Sequence, residues 1–270
     1  MLLADKVAII TGGSVGMGRA MALKFAEEGC LVTVADIAET EGEKTVAKVS
    51  ETGREGLFVR CDVTDRSQIK EVVEKTISKF GKIDILVNNA GGIVWGKEDD
   101  SFEGEISEET WDRNINLNFK SFLYCTEAVA PYMKKQKSGN IINLSSLGGI
   151  SPPAGGRGSR LIYHIAKGGV VSLTINLALD YVDYNIRVNV IAPGPIRSDF
   201  YSENLKGKSD AEADAFFNRM GKDAPMARVG MPEEVAGVAL FLASDLSSYV
   251  TGQLIYCGGG IPLWPKRMRG

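Results

Sequence analysis

A glycine cluster set between an apolar run and an amphipathic run does most to limit what this chain can become. The segment Thr11-Gly12-Gly13-Ser14-Val15-Gly16-Met17-Gly18 follows Val7-Ala8-Ile9-Ile10, a short apolar run that reads as a buried strand. Residues 19–28 then carry helical periodicity, stopped by Gly29, a residue suited to a helix C-terminus. Strand, glycine turn and helix in that order begin a βαβ unit, and the remaining chain continues the alternation.

Further strands are expected near residues 31–35, 57–61, 83–87, 140–144, 187–191 and 253–256. Helical patterns fit residues 39–51, 67–80, 111–135, 161–181 and 232–243. Continuous apolar strands separated by amphipathic helices predict an α/β fold. The expected form is a doubly wound, parallel, seven-stranded Rossmann sheet with helices on both faces. The 270 residues read as a single domain, without repeats or a low-complexity linker. Residues 194–230 are weakly patterned around a helix near 210–220, which suggests a substrate lid. Residues 261–270 form a short tail.

The charge balance argues against two partners. Net charge is −3 with no long run of one sign, which disfavours nucleic acid. No apolar run is read as long enough to span a membrane and no signal peptide is seen, so neither membrane nor export is expected. The four cysteines, Cys30, Cys61, Cys125 and Cys257, form no CxxC pair, and His164 is the only histidine. That pattern gives no metal site and suits a reducing cytoplasm.

Glycines at positions 12, 16 and 18 permit a tight turn and close backbone approach. The following helix end offers free N–H groups to a pyrophosphate. Asp36 closes the next strand, eighteen residues past Gly18. A carboxylate there accepts hydrogen bonds from an adenosine ribose and repels a 2′-phosphate. Val15 and Ile37 stand where a phosphate would want cations, and Arg19 reads as solvated or pointing into its helix. NAD is therefore expected over NADP.

Tyr163 and Lys167 lie four apart in Tyr163-His164-Ile165-Ala166-Lys167. In a helix both leave one face. An ammonium beside a phenol favours the phenolate, so Lys167 is expected to lower the Tyr163 pKa. Ser146, in the pair Ser145-Ser146, would add a donor where negative charge develops on a substrate oxygen.

The spacing Gly12-x3-Gly16-x-Gly18 resembles that of the short-chain dehydrogenase/reductase family, and the likeness extends across nearly the whole chain. Cys61-Asp62-Val63 is similar to its adenine-contacting segment. Asn88-Asn89-Ala90-Gly91 is similar to the motif after its fourth strand. Ser145-Ser146, Tyr163-x3-Lys167, Pro193-Gly194 and Tyr249-Val250-Thr251-Gly252-Gln253 follow in family order. The resemblance implies that Tyr163 moves the proton and that Lys167 tunes it and reaches the nicotinamide ribose. Ser146 would bond the substrate oxygen, and Asn118 would hold a water in a relay to Lys167. It also assigns Ile196 to the nicotinamide carboxamide, with Ser198 where the family usually has a threonine.

Three departures bear on the substrate. Ser146 and Tyr163 are seventeen apart, longer than the family spacing. The extra residues carry Arg157 and Arg160, which would suit an anionic substrate or simply be solvated. Residues 92–109 are also long and hold Trp95. Cys257-Gly258-Gly259 stands where the family commonly has Asp-Gly-Gly. His164 reads as a packing residue. Trp95, Ile150, Pro152, Phe200, Tyr201 and Phe217 are candidate pocket walls.

The resemblance implies an NAD-dependent oxidoreductase acting on a secondary alcohol or its ketone, assembled as a homotetramer through the long helices. Two alternatives stand beside it. One is a 3-oxoacyl-thioester reductase, which would favour NADPH against Asp36. The other is a catalytically idle NAD-binding sensor or scaffold.

Overall fold

Short aliphatic and β-branched runs form the strands, and amphipathic runs between them form the helices. The computed structural model describes residues 1–96, 106–151, 159–222 and 224–261. In chain order the elements begin with β1 (Val7–Thr11), α1 (Gly16–Glu27), β2 (Leu31–Asp36), α2 (Glu39–Glu51), β3 (Gly56–Arg60) and α3 (Arg66–Phe80). There follow β4 (Ile85–Asn88), α4 (Glu108–Ile115), α5 (Ser121–Gln136), β5 (Gly139–Leu144), α6 (Ser159–Tyr181) and β6 (Ile186–Pro193). The chain continues through α7 (Ser202–Leu205), α8 (Asp210–Gly221) and α9 (Pro232–Ala243) to β7 (Leu254–Cys257).

All seven strands are parallel, in the order β3-β2-β1-β4-β5-β6-β7. The order reverses between β1 and β4, so the loops leaving those two strands diverge and open a crevice at their carboxyl ends. Successive residues of a strand face opposite sides. Ile10 joins Phe25 of α1 and Val235 of α9 in one core, whereas Ile9 joins Val72 of α3, Val129 of α5 and Leu177 of α6 in the other.

The long helix expected over residues 111–135 is interrupted. Residues Asn116–Lys120 form a π turn between α4 and α5, and the Ser121 N–H bonds back five residues to the Asn116 carbonyl. The wider turn turns Asn118 inward, fully buried, where its Oδ1 accepts from the Gly92 N–H at 2.9 Å and its Nδ2 donates to the Gly92 carbonyl at 2.8 Å. π turns of this kind concentrate at functional sites.

The strands and long helices are fastened by buried polar groups. Asn88 Nδ2 donates to Asn143 Oδ1 at 2.9 Å, and Asn143 Nδ2 donates to Thr174 Oγ1 at 2.9 Å. This chain links β4, β5 and α6. About two turns earlier on α6, Lys167 is 3% exposed and donates from Nζ to the Leu144 carbonyl at 2.8 Å. Among the described residues only this helix region, Arg160–Tyr184, is long and apolar enough to cross a membrane by length and composition, a property the sequence reading missed. Its apolarity serves the sheet, since Ile162, Ala166 and Val170 are buried, while Leu161, Ile165, Ile175 and Leu179 form an uncovered outer stripe.

Burial pushes the Lys167 ammonium down from 10.5 to about 7. Above about pH 7 the unfolded chain therefore binds more protons at this position than the native chain, so the site makes stability rise with pH up to about 10.5. Replacing the side chain with methionine removes that dependence. The urea midpoint of the wild type, compared with Lys167→Met, should climb as pH rises from about 7 to about 9.5. A pH-independent difference would contradict the buried, proton-poor lysine.

Candidate active site

The crevice at the reversal point is built first by the glycine loop. Gly12 and Gly16 adopt φ of 63° and 54°, in the left-handed region that side chains disfavour. At Gly18 a Cβ would lie 2.0 Å from the Gly12 carbonyl oxygen, so the start of α1 can close on the loop only with glycine there. Asn89 pins this approach from β4, donating from Nδ2 to the Thr11 and Gly12 carbonyls at 3.0 and 2.9 Å. The first turn of α1 carries no acidic residue, which leaves its positive end available to an anion.

Asp36 ends β2 beside this loop. One carboxylate oxygen accepts from the Ser14 N–H and the other from the Ala38 N–H, each at 3.0 Å. Ser14 itself is buried, and its hydroxyl donates to the Ala38 carbonyl, so it supports the loop rather than lining the crevice. Arg19, expected to be solvated or to point into its helix, is instead partly buried and paired with α2. Its Nε donates to Thr45 Oγ1 at 3.0 Å and its guanidinium pairs with Glu41 at 2.6 Å. The arginine's charge is thereby spent on α2.

The crevice has a volume of about 670 Å³. Its walls include Gly12, the Val15-Gly16-Met17-Gly18 turn, Asp36 and Ile37, Asp62 and Val63, Asn89 to Gly91, and Ser198. A glycine cradle, a free helix end and a carboxylate one strand away fit a dinucleotide along this groove. Pro193, Gly194 and Ile196 do not line it. Gly194 is held by its N–H to the Cys257 carbonyl, and Ile196 is 4% exposed and bridged to Gly230. That packing keeps the glycine segment after Cys257 against β6 without the family's aspartate. Sequence reading missed Gly92 to Val94, Arg113, Asn116, Leu117 and Asp199 as wall residues. Gly92 to Val94 adjoin a recognised motif, but α4 and the π turn reach the groove only through the tertiary fold.

The groove runs toward the tyrosine at the end where Phe200 lies. Phe200 lines the groove, and its ring centroid is 5.9 Å from that of Tyr163. Gly91 also lines it. A Cβ on Gly91 would lie 2.8 Å from Asn118 Oδ1 and 3.2 Å from Lys167 Nζ, so the three groups converge on one point. The Ser146 hydroxyl lies near enough to the Tyr163 hydroxyl to favour its ionised form, and accepts from the Gly148 N–H at 3.1 Å. Ser145 has the opposite role. Its hydroxyl donates to the Lys167 carbonyl at 2.7 Å and its N–H to the Ile191 carbonyl, which fastens α6 to the sheet.

The expected effect of Lys167 on Tyr163 is absent from this geometry. Burial pushes the phenol up to about 12, with the Ser146 hydrogen bond acting against it. Lys167 Nζ lies 5.8 Å from the Tyr163 ring centroid, is committed to the Leu144 carbonyl, and is itself depressed by burial. A lysine with a pKa of about 7 is only partly charged at neutral pH and cannot much stabilise a phenolate. The resting site therefore holds a neutral tyrosine. Both amide hydrogens of Asn118 are likewise committed, to the Gly92 and Asn114 carbonyls, while its oxygen accepts from the Gly92 N–H and keeps one lone pair.

His164 is held neutral by burial, with Arg160 adding to the effect, and its ring packs on Gly148. Among the candidate substrate residues, Trp95 and Phe200 are exposed. Tyr201 stacks edge-on against Phe200, Phe216 and Phe217. Phe217, expected as a wall, is 4% exposed and backs the aromatic cluster instead. Ile150 is half-buried after the Leu147-Gly148-Gly149 turn. Pro152 and Arg157 lie outside the described residues.

The family model described as enoyl-(acyl carrier protein) reductase matches residues 12–262. A 3-oxoacyl-[acyl-carrier-protein] reductase of Thermotoga maritima is 43% identical over 266 residues, covering 97% of this chain and 99% of the relative. A (2S)-[(R)-hydroxy(phenyl)methyl]succinyl-CoA dehydrogenase subunit of Thauera aromatica is 37% identical, covering 96% and 98%. The crystal structure of levodione reductase superimposes with a TM-score of 0.85 at 34% identity, covering 96% of this chain and 98% of that one. With the glycine cradle, the parallel seven-stranded sheet and the Ser146–Tyr163–Lys167 set in place, the chain belongs to the short-chain dehydrogenase/reductase family.

Proposed function

We propose that the protein is an NAD-dependent oxidoreductase that interconverts a secondary alcohol and its ketone. The observation that carries the reading is the convergence of Lys167 and Asn118 on Gly91 of the groove wall, with the Ser146 and Tyr163 hydroxyls set against each other beside it. Bound NAD would supply the hydride acceptor, and in its reduced form the hydride donor. The chain's own groups handle position and protons. The glycine loop holds the pyrophosphate, and Asp36 accepts from the adenosine ribose. Ser146 donates to the substrate oxygen. Tyr163 gives that oxygen a proton during reduction and takes it back during oxidation.

NAD is favoured over NADP because Asp36 opposes a 2′-phosphate and the nearby Arg19 is neutralised by Glu41. With NAD, alcohol oxidation is the favoured direction. A second reading, reduction of a 3-oxoacyl thioester, draws on the Thermotoga maritima relative, which is named for that activity. Cofactor preference separates the two.

A homotetramer assembled through α5 and α6 completes the proposal. It is supported by the outer stripe of α6, where Leu161, Ile165, Ile175 and Leu179 are 41%, 46%, 46% and 71% exposed. Apolar residues in such a row are the kind of surface that a second subunit covers.

Two experiments check these statements. Wild-type enzyme should oxidise or reduce members of an alcohol and ketone panel with a higher kcat/KM for NAD(H) than for NADP(H). Tyr163→Phe should bind NAD and lose turnover by about 100- to 10,000-fold. Wild-type rates in that variant would remove Tyr163 as the proton carrier, and a strong NADPH preference would favour the thioester reductase. Light scattering should report four subunits, whereas a monodisperse monomer would contradict the assembly.

A further inference from the structure

Arg160 sits at the start of α6, three residues before Tyr163, so the two leave the helix within one turn of each other. Its guanidinium carbon lies 5.3 Å over the ring of Trp95, which enters from the segment after β4. From the third side, Tyr201 feels the same positive charge, as does His164. Three separate segments thus bring an arginine and aromatic rings together within one helical turn of Tyr163.

This arginine differs from most of the other described arginines. Arg19, Arg54, Arg66, Arg113, Arg197 and Arg228 each pair with a carboxylate. Arg160 is exposed and has no carboxylate partner among the described residues. A cation–π contact with an indole engages the guanidinium charge without supplying a carboxylate, so its N–H donors remain available to an anion. Such donors match a carboxylate or phosphate in two parallel hydrogen bonds. The contact also restrains the side chain, which reduces the entropy lost when an anion binds.

We propose that Arg160, held on Trp95, is the specificity-determining residue of the pocket and selects substrates bearing a carboxylate or phosphate at the end remote from the reacting carbon. The body of such a substrate lies against Trp95, Phe200 and Tyr201, with its carbinol or carbonyl oxygen at Tyr163. The inference rests on the oxidoreductase reading and adds the charge and shape of the substrate to it.

The test compares three ketones of one frame: a cyclohexanone bearing a ring carboxylate, its methyl ester, and the same ring bearing a phosphate monoester. Wild-type enzyme should prefer at least one anionic ketone over the ester by about tenfold or more in kcat/KM, with the difference in KM. The better of the two anions identifies which source the site serves. Arg160→Gln should bring the anion-to-ester ratio near one, and Arg160→Lys should recover part of it. An unchanged ratio in Arg160→Gln, or a wild-type preference for the ester, would overturn the proposal.

A second readout does not need turnover. Titrating the ring carboxylate should change the Trp95 emission saturably, identified by its loss in Trp95→Phe, and Arg160→Gln should abolish the change. Turnover with no charge preference and no emission change overturns the anion site alone. An emission change with no turnover of any ketone overturns the oxidoreductase reading and leaves the anion site standing.

Discussion

The hydrogen bond from Lys167 Nζ to the Leu144 carbonyl is the contact on which the catalytic end depends. It ties α6 to the carboxyl end of β5, next to the serine pair. Ser145 closes the same joint from the other side through the Lys167 carbonyl. Tyr163, one turn earlier on α6, is thereby set against Ser146. The joint takes the lysine out of water, which lowers its pKa and leaves the neighbouring phenol without a full positive charge. One interaction thus fixes the geometry of the site and its resting protonation.

A second constraint holds the other end of the groove. The backbone at Gly18 lies so close to the Gly12 carbonyl that no side chain fits, and Asn89 clamps the loop from β4. Asn88, next in sequence, turns to the opposite side and joins the chain through Asn143 to Thr174 on α6. Adjacent residues of one strand end therefore brace the phosphate cradle and the catalytic helix. The cofactor groove and the proton site are held in register by the sheet itself.

Much of this was legible in the residues. The glycine spacing, Asp36 and the strand–helix alternation are local patterns, and they placed the sheet and the groove. Strand limits were approximate, because pairing decides them. Pro193, for example, is drawn into β6 by its partner Cys257 at the strand end, where the missing N–H costs little. Other features arise only through space. The π turn at Asn116–Lys120 follows from Asn118 reaching Gly92, a contact between segments distant in sequence. Arg19 found Thr45 and Glu41 on α2, which helical spacing within α1 could not disclose. The sign of the Tyr163 shift was misjudged because a Tyr-x3-Lys spacing reports proximity and not burial. Here burial outweighs the pair attraction.

The resting site keeps the Tyr163 proton in place, the form that donates to a substrate oxygen in the reduction direction. That state is directly observable by carbon NMR of protein labelled at the tyrosine ring carbon bearing the hydroxyl, with Tyr163 assigned from its loss in Tyr163→Phe. Burial of the phenol predicts that the Tyr163 signal is still that of the neutral form at pH 10, where an ordinary tyrosine is half ionised. A Tyr163 signal already half ionised below that pH would contradict the account.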